Sequence, residues 1–238
     1  EARIDWTREV FAAFDPQKFH LLQLRLQAFL QDRELFIQDC YVGAHKSFQK
    51  TARIITQTAR HSLFARNMFI QASPEQMDGF FPEFTIIHVP YFKAIPELDG
   101  TQREEFVILN LLKKTVLVGG THYSGEIRRA MYMLLGYFLL QEDILPVKCS
   151  SNQGLDKKVA LYFGEPSTTK STITLNPARV FLGDAYHGWS RDSIFNLEWG
   201  CYEPIANVTQ EKNPAIYQAC QQYATLLENV ELNHKTRR

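Results

Sequence analysis

The chain has 238 residues, 45% of them hydrophobic and 22% charged, which are the proportions of a globular protein. Its formal net charge is +0 at pH 7, and no charged run is long enough to indicate nucleic acid as a partner. No stretch approaches the roughly 18 apolar residues of a membrane span. The length suits one large domain or two small ones.

The cysteines give a second constraint. Cys40, Cys149, Cys201 and Cys220 are scattered along the chain, in a spacing typical of neither a metal site nor a disulfide framework. Scattered thiols favour a reducing compartment, so we expect an intracellular protein of the cytoplasm or the mitochondrial matrix. The sequence begins with Glu1, and a targeting peptide would lie outside the residues given.

Apolar periodicity and turn residues predict mixed α and β elements in the first part of the chain. These elements do not alternate strictly, which favours a mixed sheet over a doubly wound one. The predicted elements are a helix starting at Asp15-Pro16, strands at 35–42 and 52–57, a helix at 61–70, a strand at Phe84–Val89, a hairpin of strands at 106–111 and 115–118, and a helix at 124–140.

A domain boundary is predicted after Asp143, between residues 1–143 and residues 144–238. The elements predicted beyond it are a buried strand at 159–163, a loop opening at Gly164, a short helix from Lys170, a second strand ending at Asp184, and a last helix at 214–227.

The loop after the strand at 159–163 has part of the phosphate-binding pattern G-x-x-x-x-G-K-[ST]. Gly164, Lys170 and Ser171 occupy the positions of the first glycine, the lysine and the hydroxyl residue. The sixth position should be glycine and is Thr169. The pattern therefore predicts a degenerate phosphate loop.

Further motifs extend over nearly the whole chain. They are D-C-Y-V-G-A at 39–44, H-S-L-F-A-R-N-M-F-I at 61–70, G-G-T-H-Y-S-G-E at 119–126, C-S-S-N at 149–152, G-D followed by H-G-W at 183–189, and F-N-L-E followed by G-C-Y at 195–202. In order and spacing these motifs resemble those of ATP-dependent phosphoenolpyruvate carboxykinases. The resemblance implies a mixed α/β fold, with a carboxykinase-like mixed-sheet domain followed by part of a P-loop-containing nucleotide-binding domain.

The resemblance covers the middle of such an enzyme. It implies that an earlier segment with a substrate-binding arginine lies outside this chain, as does most of the later domain, with the adenine site and a further catalytic arginine. Enzymes of the family decarboxylate oxaloacetate and phosphorylate the product from ATP. They use a manganese ion and a magnesium–nucleotide.

The family's manganese ligands are a lysine, a histidine and an aspartate, and the matching positions here hold Arg129, Lys148 and Ala185. Arginine stays protonated and has no lone pair to offer a metal. Lysine ligates only as the neutral amine, which requires a strongly lowered pKa, and alanine has no donor atom. We therefore expect no metal site and no manganese cofactor.

The family's phosphate loop, G-L-S-G-T-G-K-T-T, becomes G-E-P-S-T-T-K-S-T at 164–172. Ser167 and Thr169 add side chains where glycine lets the backbone approach a phosphate, and Pro166 removes an amide donor. Glu165 adds a negative charge. The residues left to contact phosphate or magnesium are Gly164, Thr168, Lys170, Ser171, Thr172 and Asp184. Weak binding of Mg-ATP is the most that we expect of this vestigial loop.

Two other positions belong to the family's active site. Tyr123 matches a substrate-facing tyrosine, and here we expect a vestigial, half-buried aromatic. The family's E-G-G-C-Y-A-K becomes E-W-G-C-Y-E-P at 198–204, so that Pro204 replaces a lysine. We expect no catalytic residue.

Three functions remain open. The retained core motifs and the altered chemistry favour a non-catalytic carboxykinase relative that serves as a structural or interaction subunit of a larger assembly. A nucleotide-binding regulator without phosphoryl transfer is the second. The third is an active carboxykinase-type lyase or a small-molecule kinase with a rebuilt site, which another chain could complete.

The apolar strands at 159–163 and 180–182 would have few neighbours within the chain. Uncovered apolar strands are an aggregation liability. We therefore predict an obligate contact with another protein subunit on residues 147–227, with Trp199 near that contact. Neither nucleic acid nor a membrane is expected as a partner.

Overall fold

The computed structural model describes residues 12–164, 173–231, 233 and 235, and it confirms the predicted mixed α/β class. The elements before residue 140 are α1 (Pro16–Leu30), β1 (Phe36–Val42), β2 (Lys50–Thr56), α2 (Ala59–Met68), β3 (Ile70–Gln71), α3 (Pro74–Met77), β4 (Phe84–Val89), α4 (Pro96–Asp99), β5 (Phe106–Asn110), β6 (Thr115–Gly119) and α5 (Gly125–Leu139). After it come β7 (Leu145–Lys148), β8 (Ser150–Gln153), β9 (Val159–Tyr162), β10 (Val180–Gly183), β11 (Tyr186–Trp189), β12 (Ile194–Asn196) and α6 (Pro214–Ala219).

The first part of the chain forms a six-stranded mixed sheet in the order β3-β1-β2-β4-β6-β5. β4 is parallel to both β2 and β6, and the remaining pairs are antiparallel. Successive side chains of a strand point to opposite faces, so Ile86 packs on one side of β4 and Ile87 on the other. The sheet therefore needs cover on both faces.

Helices supply that cover in two layers. On one face, α2 and α5 bury side chains such as Phe64, Met131 and Leu134 against the sheet. On the other, α1 packs Phe19, Leu22 and Leu26. The spacing of these α1 residues puts them on a single helical face.

The start of α1 is set by local chemistry. Asp15 caps the helix by accepting a hydrogen bond from the amide of Gln17 at 2.7 Å, and Pro16 occupies the first turn. These two signals are why the sequence predicted the start of the helix correctly.

Two three-stranded sheets follow, in the orders β10-β8-β9 and β12-β11-β7. Ile144, Phe195 and Leu197 join the core that α2 and α5 form on the large sheet. This packing places the strands β7 and β11 next to α5. The domain boundary after Asp143 stays a prediction.

The structure corrects three predicted elements. The last helix ends at Ala219 rather than residue 227, since Ala224 has a positive φ of 66° that an α-helix does not allow. The helix predicted at 61–70 ends at Met68, because Ile70 pairs with Tyr41 as a strand. The strand β9 lies at a sheet edge with Val159 exposed, so it is not buried as predicted.

The short strands of the two small sheets, β7, β8, β11 and β12, were not predicted individually. No helix in the described ranges is long and apolar enough to cross a bilayer.

Candidate functional site

The three positions that match the family's metal ligands lie around Tyr186, the first residue of β11. Lys148 is its direct partner in the antiparallel pair of β7 and β11. Ala185 precedes it and accepts a hydrogen bond from the amide of Cys149 at 2.9 Å. Arg129 on α5 acts electrostatically on the Tyr186 hydroxyl. Lys148 and Ala185 therefore lie next to Tyr186 in the strand pair, and Arg129 lies on α5, the helix against which Tyr186 packs.

Directly opposite residues of an antiparallel pair project to the same face of the sheet. The side chain of Lys148 therefore shares a face with Tyr186. That face is turned towards α5, because Tyr186 stacks on Tyr132 of α5, with 3.8 Å between ring centroids and 21° between planes. The guanidinium of Arg128 lies over the same Tyr186 ring, 5.1 Å from its centroid.

Behind Tyr186 lies a buried ion pair. Arg128 donates two hydrogen bonds to the carboxylate of Glu198, one from Nη2 to Oε2 at 2.9 Å and one from Nε to Oε1. Only 12% and 4% of the two side chains are exposed. Burial raises the pKa of Glu198, and the guanidinium of Arg128 opposes that rise. The bidentate geometry is that of an ionised carboxylate.

Sequence reasoning did not single out Tyr186. The resemblance at 183–189 is to a family motif G-D-D-E-H-G-W, which implies glutamate at the position of Tyr186 and aspartate at that of Ala185; this chain has G-D-A-Y-H-G-W. A comparison of the whole motif would have found this fourth change.

The cavity that remains between Arg128, Tyr132, Tyr186 and Glu198 has a volume of about 10 Å³. A cavity of this size has room for one water molecule at most, so the side chains around Tyr186 are closely packed.

These residues do not fit a manganese ion. Arg129 is half-exposed, with Nη1 3.4 Å from the Glu126 carboxylate, and Lys148 is exposed. Cationic groups and a methyl group offer no ligand set for Mn²⁺. Within residues 12–164 and 173–231, no three His, Cys, Asp or Glu side chains are arranged to hold a metal ion.

Other residues of the family motifs are retained in β8, in β11 and between β10 and β11. Asp184 Oδ1 accepts a hydrogen bond from Ser150 Oγ at 2.8 Å. His187 is fully buried, with Nε2 2.7 Å from Ser151 Oγ and Nδ1 3.7 Å from Cys149 Sγ. Burial lowers the pKa of His187 to about 4, so the ring is neutral at physiological pH. These contacts join β8 to β11 and make His187 a structural residue.

The phosphate loop remains a prediction. Gly164 has a φ of 153°, which side-chain-bearing residues rarely adopt. Thr168, Lys170, Ser171 and Thr172 lie outside the described residues. The short helix predicted from Lys170 lies partly outside them too.

Tyr123 is 51% exposed, and its ring centroid is 6.3 Å from that of Tyr202.

The altered motif at 198–204 keeps the glycine that packing requires, since a Cβ on Gly200 would lie 2.3 Å from the carbonyl oxygen of Asn67. The preceding position holds Trp199, which is 70% exposed. Here the chain has exchanged a small residue for a large apolar one that faces outward.

Comparisons with known proteins account for these motifs. The family model described as Phosphoenolpyruvate carboxykinase matches residues 1–238. The phosphoenolpyruvate carboxykinase (ATP) of Pelobacter propionicus is 44% identical over 226 residues, which are 94% of this chain and 43% of that protein. The enzyme of the same name from Geotalea uraniireducens is 41% identical over 236 residues, 99% of this chain and 44% of the relative.

The relative from Thermus thermophilus, also named phosphoenolpyruvate carboxykinase (ATP), is 39% identical over 237 residues, covering 98% of this chain and 45% of that protein. The chain thus spans less than half the length of these relatives. Family match and identity together confirm the predicted relationship: the chain belongs to the phosphoenolpyruvate carboxykinase family.

Proposed function

We propose that this chain is a non-catalytic member of its family, and that it acts as a structural or interaction subunit of a larger protein assembly. The observation that carries the proposal is the donor set around Tyr186. Arg129, Lys148 and Ala185 take the three metal-ligand positions, and Tyr186, which follows Ala185 and pairs with Lys148, stacks on Tyr132 of α5. The relatives bear the name of an ATP-dependent enzyme.

Electrostatics supports the same conclusion. Two exposed cationic residues, Arg129 and Lys148, stand where ligands of a divalent cation would be. A dication about 5 Å from one unit positive charge is repelled by roughly 7 kcal/mol at an effective dielectric constant of about 20, before solvent screening. Even after screening, this repulsion acts against metal binding where ligands should provide attraction.

The test for catalysis is turnover. Oxaloacetate with ATP and Mn²⁺ should give no phosphoenolpyruvate above background with the purified protein. One of the named relatives, such as the Thermus thermophilus protein, serves as the positive control under identical conditions. Turnover that disappears on Asp184→Ala would support the rebuilt-site alternative instead.

The proposed partner contact falls on residues 147–227, where apolar side chains are exposed. Val180, the first residue of β10, is 59% exposed, and Phe163, directly after β9, is 64% exposed; both strands belong to the small sheet β10-β8-β9. Trp199 lines a groove of about 670 Å³ together with Tyr223, Arg66 and other residues. Exposed aromatics and arginine are typical of the central residues of protein interfaces.

Cross-linking tests this contact. With the protein purified from its native source, a lysine-reactive cross-linker should join Lys157, Lys158 or Lys212 to another polypeptide. Lys18 in α1 and Lys93 in the loop after β4 lie outside residues 147–227. The extent of cross-linking at these two lysines is the internal comparison. A native protein that is monodisperse at the mass of a single chain would remove the interaction role.

A further inference from the structure

A carboxylate from the far end of the chain is buried against the start of helix α5. Glu228 Oε1 accepts a hydrogen bond from Ser124 Oγ at 2.5 Å, and Oε2 accepts one from the Tyr202 hydroxyl at 2.5 Å. Arg60 Nη1 lies 3.7 Å from Oε1. Only 9% of the Glu228 side chain is exposed. Both carboxylate oxygens are thus used, and a cation stands beside one of them.

Three side chains, Ser124, Tyr202 and Arg60, surround this carboxylate with two hydrogen-bond donors and a positive charge. Ser124 is fully buried and occupies the N-cap position of α5, yet its hydroxyl makes no capping bond to the helix. It donates to Glu228 instead. The N-terminus of a 15-residue helix favours negative charge through its macrodipole. Burial, and then the hydrogen bond to Glu228, raises the pKa of Tyr202, which keeps its hydroxyl a donor.

The segment that carries Glu228 reaches this position without regular secondary structure. It is bounded by two left-handed residues, Ala224 with φ of 66° and Asn229 with φ of 56°. A left-handed alanine is strained, so other contacts must hold this backbone in place. The carbonyl of Ala224 accepts a hydrogen bond from Asn67 Nδ2 at 2.9 Å, and Leu226 packs on the core.

We propose that Arg60, Ser124 and Tyr202 form a carboxylate-binding pocket that the chain fills with its own Glu228, and that a small monocarboxylic acid binds there when the Glu228 carboxylate is absent. The Glu228 carboxylate is then an internal ligand that holds residues 224–229 against the start of α5. The pocket uses none of the residues at the metal or phosphate positions. The inference therefore stands whether or not the chain is catalytic.

Chemical rescue tests the pocket. Glu228→Ala should lower the melting temperature. Sodium acetate at ~100 mM should restore about 3–5 °C of that loss relative to sodium chloride at the same ionic strength, given a dissociation constant of ~10 mM for acetate. Glu228→Gln is the matched control, because its amide still fills the space and acetate cannot enter. Neither Glu228→Gln nor the unaltered chain should respond to acetate.

A second change links the rescue to the pocket. In Glu228→Ala, the additional substitution Ser124→Ala removes one donor and should reduce the acetate response by more than half. A folded Glu228→Ala protein that gains nothing from acetate would overturn the proposal. An equal gain in Glu228→Gln would overturn it as well, since acetate would then be acting elsewhere.

If Glu228→Ala does not fold, a double-mutant cycle on the intact carboxylate decides the matter. Ser124→Ala and Tyr202→Phe each remove one donor to the same group. If the pocket acts as a unit, the loss of melting temperature in the double variant should differ from the sum of the two single losses by at least about 2 °C. Strict additivity would mean that the two donors are independent, and the pocket would not exist as proposed.

Discussion

The ring of Tyr186 lies on the ring of Tyr132, with centroids 3.8 Å apart and planes within 21° of parallel. This contact joins the first residue of β11 to the middle of α5. Lys148 pairs with Tyr186 in the neighbouring strand, and Ala185 precedes it. The aromatic contact therefore lies beside two of the positions that match metal ligands.

A reversion experiment follows from that stack. Arg129→Lys, Lys148→His and Ala185→Asp together restore the three ligand types, but Tyr186 still fills the space between α5 and β11. We expect this triple variant to bind Mn²⁺ at least ten-fold more weakly than a quadruple variant that adds Tyr186→Glu. Changes next to a metal's ligands typically alter affinity 10–100-fold. Isothermal titration with MnCl₂ measures both affinities.

Circular dichroism melting of both variants provides the folding control for this comparison. Equal affinity in the triple and quadruple variants would contradict an obstructing role for Tyr186. The parent chain should show no saturable Mn²⁺ binding at this position up to millimolar concentration. A parent signal that Asp184→Ala removes would contradict that expectation.

The buried pair of Arg128 and Glu198 should dominate local stability. Glu198→Gln leaves the guanidinium of Arg128 buried without its counter-charge, at an expected cost of about 3–5 kcal/mol in the free energy of unfolding. Replacing both residues, as Arg128→Met with Glu198→Leu, should cost clearly less than the sum of the single changes. Urea unfolding curves give these differences.

An exposed pair serves as the comparison. Lys93 and Glu104 are 2.7 Å apart, but 68% and 58% of their side chains are exposed. Water already solvates both charges, so Lys93→Met should leave the urea midpoint unchanged within error. A similar loss at both pairs would mean that burial does not set the energy.

Buried histidines predict the pH dependence of stability: the largest pKa shifts are those of His88 and His187, and burial lowers the pKa of His61 as well. Burial lowers the pKa of His88 to about 3 and that of His187 to about 4, against an ordinary value of 6.5. Below pH 6.5 the unfolded chain therefore binds more protons than the folded chain, and stability falls as the pH falls. Between pH 7 and pH 5 the loss should be about 2 kcal/mol per histidine.

The charges that face these rings differ. His88 faces His61, His122 and Arg60, whereas Asp184 acts on His187. His187→Gln should therefore remove about 2 kcal/mol of the stability loss between pH 7 and pH 5, as measured by urea unfolding at each pH. An unchanged slope would show that folding does not lower the pKa of His187.

The nucleotide prediction separates the structural role from the regulator. A micromolar site would stabilise the protein by about 4 kcal/mol at millimolar Mg-ATP, which corresponds to roughly 10 °C in melting temperature. We expect a shift of less than about 2 °C, because Ser167, Thr169 and Pro166 stand in the phosphate loop. A larger shift that Lys170→Ala abolishes would favour the nucleotide-binding regulator.

Several features followed from the sequence alone. The bounds of β4 and the start of α1 were correct, and the hairpin strands predicted at 106–111 and 115–118 were each correct to within one residue, because local periodicity and capping residues specify them. Family membership and the residue types at the three metal positions were also readable, since each depends on residue identity. No knowledge of the packing was needed for these conclusions.

Only the tertiary structure decided the rest. The strands β7 and β11 are four residues long and show little periodicity, so their pairing depends on contacts that are remote in sequence. Ser124 and Glu228 are separated by 104 positions, and no local pattern connects them. The last helix does not reach residue 227, since Ala224 is left-handed, and the residues beyond it contact the start of α5, where Glu228 accepts buried hydrogen bonds. Such long-range burial overrides the helical pattern that the local sequence favours.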